Sequence, residues 1–207
     1  DEAQDFSANQ LRAIINQLAP ESITTIVLDS AQQIYKRGFT WKDIGITQAE
    51  YFKLQRNYRN TFQIANFAIK LLTNANILLN DDATLPILSE ITRQGEKPIV
   101  VQGVFNHQMI YILNFIRENI DLESQSIGFL HPKGYGWFDY VARQLQIANI
   151  PFVDIARQDV WPPGNINVAL STIHSAKGLE FDFVFIVGLE TQHFNLGEGD
   201  HEDSDYT

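Results

Sequence analysis

The chain of 207 residues contains no cysteine. This excludes disulfides, cysteine-ligated zinc and a thiol nucleophile. It fits a reducing compartment, and a cytoplasmic location is the expectation. Long apolar runs are missing too. The longest stretch free of polar residues, Phe183 to Leu189, falls far short of the ~20 residues a membrane helix needs. No membrane partner is expected. Charged residues make up only 19% of the chain, which argues against long disordered polar tracts. Positive charge is the scarcer sign: 15 Lys and Arg stand against 25 Asp and Glu, for a net charge of −10. A protein that coats nucleic acid by bulk charge is disfavoured on that balance.

The acidity is uneven. Glu198, Asp200, Glu202, Asp203 and Asp205 crowd the last ten residues, which hold no Lys or Arg. Removing those five leaves −5 across the other 197 residues, so a local basic groove is compatible with the composition. The chain opens on Asp1 rather than Met and stops within the acidic tail. Both ends read as cuts through a longer polypeptide, whose remainder is an expected partner.

Hydrophobic periodicity predicts alternating strands and helices. Ser7 is placed to cap a helix over Asn9 to Leu18, with Leu11, Ile14, Ile15 and Leu18 at helical spacing. Ile23 to Leu28 is a β-branched apolar run, read as a buried strand. Asn60 or Thr61 caps a second helix that carries Ile64, Phe67, Ala68, Leu71 and Leu72 on one face. Residues 74–97 read as a polar loop. Beyond it come a strand at Pro98 to Phe105, a helix at His107 to Asn119 and a strand at Ser126 to Leu130. A helix near Trp137 to Ala148 and strands at Pro151 to Ile155, Asn165 to Thr172 and Phe181 to Val187 complete the series. This rhythm predicts an α/β fold with a parallel sheet and helices on both faces. Such sheets bind ligands beyond the carboxyl ends of their strands.

Four polar strings follow or precede these elements. Asp1-Glu2-Ala3-Gln4-Asp5 offers adjacent carboxylates, suited to Mg²⁺ and an attacking water, or else a plain acidic stub. Asp29-Ser30-Ala31-Gln32-Gln33-Ile34-Tyr35-Lys36-Arg37 directly follows the Ile23 to Leu28 run. Its Gln32 amide could sense a γ-phosphate, and Tyr35, Arg37, Phe39 and Trp41 could stack on or attract single-stranded nucleic acid. The plainer reading is a loop whose aromatics pack in the core. Leu54-Gln55-Arg56-Asn57-Tyr58-Arg59-Asn60-Thr61 precedes a helix, and a helix N-terminus beside an Arg favours anions. It also reads simply as a capped helix start with exposed arginines. Val168 to Phe181 runs from an apolar strand into a loop holding Thr172, His174, Lys177 and Gly178, then at once into another strand.

Together the four strings resemble motifs II, III, IV and V of the UvrD/Rep type of superfamily 1 DNA helicases, in the family's order. Asp1 to Asp5 is similar to D-E-x-Q-D. Asp29 to Tyr35 is similar to G-D-x-x-Q-S-I-Y, with Leu28 in place of the Gly. Leu54 to Asn60 resembles L-x-x-N-Y-R-S, and Thr172 to Phe181 matches T-x-H-x-A-K-G-L-E-F. The resemblance implies RecA-like architecture: residues 1–46 as the end of a first ATPase lobe, and 47–207 as most of a second. It implies ATP and Mg²⁺ as cofactors and single-stranded DNA as partner. By it, Asp1 holds the metal through water, Glu2 activates the hydrolytic water and Gln32 contacts the γ-phosphate. Tyr58 stacks on adenine, Arg59 acts as an arginine finger, Glu180 reaches the ribose and Gly178 allows close approach. Tyr35, Arg37, Trp41, Thr172 and His174 line the path of the strand.

Departures from the pattern are as telling. No G-x-x-x-x-G-K-[ST] loop occurs in the 207 residues, nor does the family's last arginine motif. The chain by itself is therefore expected to lack ATPase activity. Roughly 110 residues separate the Arg59 and Thr172 motifs, so the accessory domain that large members insert there is expected to be absent. His131-Pro132-Lys133 replaces an Arg-containing stretch, which puts one DNA contact in question. Apolar positions in residues 1–46 are expected to leave exposed patches and a tendency to associate. The competing functional readings are a non-catalytic nucleic-acid or partner-binding module and a small α/β nucleotide- or metal-dependent hydrolase built on Asp1 and Glu2.

Overall fold

The computed structural model describes residues 3, 6–19, 21–28, 41–47, 49–52, 58–74, 87–134, 136–155 and 164–189. The chain divides into two compact units, Asp1–Val100 and Val101–Thr207.

In the first unit, α1 spans Ala8–Ile15. Its start is set by a reciprocal cap. Gln10 N–H donates to Ser7 Oγ (3.3 Å), and Ser7 N–H donates to the Gln10 side chain (2.7 Å), so two otherwise orphaned donors are satisfied. The helix ends at Ile15, three residues before the expected Leu18, and passes into tight turns closed by Gln17 N–H to Ile14 O and Leu18 N–H to Ile15 O. Leu11 is buried with Ala3 and Ile44, and Ile15, Ile26 and Trp41 pack around them. Ile14 and Leu18 stay exposed.

The strand expected at Ile23 to Leu28 does not form among the described residues. Ala3 N–H donates to Val27 O (3.0 Å), and Ile23 is 98% exposed. A β-branched run makes a strand only where a neighbouring ladder takes up its backbone groups. The exposed apolar patches expected in this region are present: Ile14, Leu18, Ile23, Val27 and Leu28 all face solvent.

Helix α2 spans Phe62–Asn74. Thr61 is the capping residue, accepting from Ile64 N–H at 3.4 Å. The buried face differs from the expected one. Ala65 is buried, whereas Ile64 and Leu71 are exposed. The segment read as a polar loop holds a short 3-10 turn at Leu88–Glu90 and a buried Ile91.

Among the described residues the second unit holds four strands: β1 Ile127–His131, β2 Val153–Asp154, β3 Val168–Thr172 and β4 Phe183–Ile186. They form one sheet in the order β2-β3-β1-β4, with every pairing parallel. Helices α3 (Phe105–Asn119) and α4 (Gly136–Ile147) accompany it. Met109, Ile112 and Ile116 of α3 and Phe138, Val141 and Leu145 of α4 share one core with Ile127, Phe129, Val168 and Leu170. Those four strand residues lie on one face, because side chains alternate along a strand. The architecture is α/β with a parallel sheet, as expected of a RecA-like lobe.

The strand expected over Pro98 to Phe105 does not form among the described residues. The chain turns at Gly103 (φ 152), and Phe105 already opens α3, its ring edge-on to Trp137 at 4.6 Å. Between α3 and β1, Asp121 closes a turn by accepting from Ser124 Oγ–H (2.7 Å) and Glu123 N–H (3.0 Å). These bonds, Ser124's first, hold its carboxyl below the ordinary value.

Candidate nucleotide and nucleic-acid site

The sheet topology dictates how the Thr172 to Phe181 string runs. Strands β3 and β4 flank β1 on opposite sides and are parallel to it. The chain that leaves the carboxyl end of β3 must therefore return to the amino end of β4. It does so across one face of β1 in ten residues. At the carboxyl end, Ile173 N–H donates to His131 O (3.1 Å), which ties the start of the crossover to β1. Thr172 Oγ1 accepts from Ser175 N–H (3.0 Å) and donates to Ser175 Oγ (2.9 Å), so the hydroxyl turns the chain back on itself. Successive turns follow: Ala176 N–H to Thr172 O, Lys177 N–H to His174 O and Leu179 N–H to Ala176 O. Ala176 is buried beneath them.

Gly178 ends these turns with φ 81, in the left-handed region that glycine adopts at little cost. A Cβ placed there would meet nothing within 4 Å. Past it, the Phe181 ring lies so close over Gly128 of β1 that a Cβ on Gly128 would sit 2.7 Å from it. Asp182 then seals the amino end. Ser126 donates its N–H (2.8 Å) and Oγ–H (2.9 Å) to Asp182 Oδ2, and Asp182 N–H donates back to Ser126 Oγ (3.0 Å). Thr172 and His174 thus stand at the carboxyl end of the crossover, and Glu180 stands next to its amino-end anchor. His174, Gly178 and Glu180 are all exposed. The strand-binding and ribose-binding candidates of this string occupy opposite ends of one short strut.

His131 begins the His131-Pro132-Lys133 stretch, whose nucleic-acid contact the sequence puts in question. The ring is fully buried. Its Nδ1 accepts from Lys133 N–H (3.0 Å) and Gly134 N–H (2.7 Å), its face stacks on Trp137 at 5.4 Å, and the backbone of Gly188 presses against its other nitrogen. The imidazole shapes the turn after β1 and is no nucleic-acid contact.

The first unit presents two other groups of expected site residues. Trp41 opens a 3-10 turn over Trp41–Ile44. Arg12 of α1 fastens this turn by donating from Nε to Asp43 O (3.0 Å), while its Nη1 holds Asn9 Oδ1 (2.9 Å). Trp41 is only partly exposed. It packs against the Leu11 and Ile44 cluster and lies 6.2 Å from the Tyr51 ring. Tyr58 and Arg59 lie just before the Thr61 cap, and Tyr58 is 75% exposed. Asp1, Glu2, Gln32, Tyr35 and Arg37 lie outside the described residues, as does the expected Mg²⁺ ligand set with Asp1. Among the described residues no group of three or more His, Cys, Asp or Glu is arranged to hold a metal, and no helix is long and apolar enough to cross a membrane.

Residues 158–196 match the family model of the UvrD-like helicase C-terminal domain. Over this stretch the chain is similar to the UvrD-like helicase C-terminal domain. That segment takes in β3, the crossover and β4, the part in which Thr172, His174, Gly178 and Glu180 stand. Neither a search of curated proteins nor one of solved structures finds a match. Around the UvrD-like segment, two features carry no local sequence signal. The Ser126–Asp182 clamp joins residues 56 apart. The Arg93 bond to Arg59 joins residues 34 apart. The burial of His131 had a fainter signal, since it follows four apolar or glycine positions of a strand.

Proposed function

We propose that the chain serves an ATP-dependent DNA helicase or translocase of the UvrD/Rep type, which couples ATP hydrolysis to movement along single-stranded DNA. One observation carries this reading: the Thr172 to Phe181 string lies within the UvrD-like segment and bridges the two ends of a parallel sheet. A strand of nucleic acid would meet the Thr172 and His174 end. The nucleotide would approach at Gly178 and Glu180, where the open space around the Gly178 Cα fits a close neighbour. Tyr58 offers an exposed ring for a base, and Arg59 a guanidinium for the charge that develops on the transferred phosphoryl group. Asp1 would hold Mg²⁺, and Glu2 would orient the attacking water. Bound Mg-ATP would supply the phosphoryl group whose release drives the cycle.

DNA-stimulated ATP hydrolysis by the full-length protein is the test. The proposal expects single-stranded DNA to raise the rate, and Arg59→Ala to lower kcat by ~10³-fold, as loss of an arginine finger does. A rate indifferent to DNA would overturn the helicase reading, and a change below tenfold would remove Arg59 from it. The 207-residue chain alone contains no phosphate-binding loop and is proposed not to turn over ATP. Hydrolysis by the purified chain that disappears in Glu2→Gln would refute this.

A further inference from the structure

The segment Arg93 to Gly95 binds the start of α2 at four points. Arg93 donates from Nη1 to the backbone carbonyl of Arg59 (2.8 Å). Arg93 O accepts from Phe62 N–H (2.8 Å). Gln94 accepts from the Gln63 amide (2.9 Å), and Gly95 N–H donates to the Gln63 side-chain oxygen (2.9 Å). The strap also lies tight against the cap: a Cβ on Gly95 would sit 2.7 Å from Thr61 Cγ2. The peptide that carries Arg59 precedes the helix, so the helical ladder itself does not fix it. A charged donor on its carbonyl, with a neighbouring backbone bond to Phe62, limits how that peptide can rotate.

We propose that Arg93 is a positioning residue, which sets the orientation of Tyr58 and Arg59 by holding the Arg59 carbonyl. The inference rests on the proposed role of Arg59. A guanidinium that acts on developing phosphoryl charge loses most of its effect when displaced by about 1 Å, so the brace acts on turnover through Arg59.

The test is DNA-stimulated ATP hydrolysis by the full-length protein, at saturating ATP and DNA. Four single variants, Arg93→Ala, Arg93→Lys, Gly95→Ala and Arg59→Ala, are measured beside the double variant of Arg59→Ala with Arg93→Ala. Melting temperature and active fraction are recorded for each. Loss of one charge-assisted bond predicts a fall in kcat of about tenfold for Arg93→Ala. Gly95→Ala should lower kcat in the same direction by wedging the strap off Thr61. Arg93→Lys, which keeps a donor, should recover to within about threefold of the parent. In the double variant, loss of Arg93 should bring no further fall, because it acts through a side chain already removed. A merely structural brace would lower the melting temperature or the active fraction and leave kcat per active molecule unchanged. That outcome overturns the inference, as does a tenfold fall that persists in the Arg59→Ala background. If Arg59→Ala itself leaves kcat unchanged, the reading of Arg59 fails first and the inference falls with it. Should Arg93→Ala not fold, Arg93→Lys and Gly95→Ala decide by the same criteria.

Discussion

Replacing Gly188 by Ala should destabilise the second unit sharply, and the structure says by how much. Gly188 has φ 71, a left-handed conformation that costs an L-residue ~1–2 kcal/mol. Its added Cβ would also sit 2.2 Å from His131 Nε2 and 2.4 Å from Cδ2, far inside contact distance. The ring cannot step aside, because two backbone N–H groups hold Nδ1 and Trp137 stacks on its face. Forcing a methyl into such a packed site costs ~1–3 kcal/mol. The two effects together come to about 3 kcal/mol, a large part of the ~5–15 kcal/mol that stabilises a domain. Gly178 provides the control. It has a similar φ of 81 but nothing near its would-be Cβ, so Gly178→Ala should suffer the backbone strain alone. Urea unfolding followed by tryptophan fluorescence measures both, with the midpoint shift read at constant slope. At ~4–8 °C per kcal/mol for a domain of this size, Gly188→Ala should melt roughly 8 °C or more below the parent. A Gly188→Ala protein as stable as Gly178→Ala, within ~0.5 kcal/mol, would refute the account of His131 as an immovable buried wedge.

Two further outcomes test the anchoring of the sheet. Asp182→Ala removes both bonds that Ser126 donates to the carboxylate and should cost about 1 kcal/mol or more, with loss of amide-exchange protection at Ile127 and Phe183 ahead of the rest of β1 and β4; unchanged protection there would show that the clamp does not hold the register. The Asp121 carboxyl should titrate below its ordinary value because its hydrogen bonds favour the ionised form. Its contribution to stability is thus full above the unfolded-state value and is lost as pH falls through the lower folded-state one. Carboxyl chemical shifts followed through the acid range should show the midpoint rising in Ser124→Ala, and an unmoved midpoint would contradict the assigned cause.

The local elements were legible because their causes are local. The Ser7 cap, the amphipathic runs of α3 and α4 and the cores of β1 and β3 each arise from residues within a few positions of one another. The Thr172 to Phe181 string was legible for a related reason: its residue types and spacing are read along the chain without reference to what packs around them. Where the reading of an element failed, its partners lay far off in sequence. Ile23 to Leu28 has strand composition, yet composition carries no information on whether a ladder stands beside it. The helical period of α2 was clear, but which stripe faces inward depends on what packs there, and Ala65 rather than Ile64 or Leu71 is buried.

Amino-acid order alone therefore established an α/β chain, the positions of most helices and strands in the second unit, and the candidate residues of a nucleotide and nucleic-acid site. Folding in three dimensions settled the rest. It chose the order β2-β3-β1-β4, which makes Thr172 to Asp182 a strut across β1 rather than a simple loop. It placed His131 inside the core. It brought Arg93 onto the Arg59 carbonyl. Each of these depends on contacts between residues tens of positions apart, and such contacts are fixed by packing and backbone hydrogen bonding after the chain collapses, not by any short pattern along it.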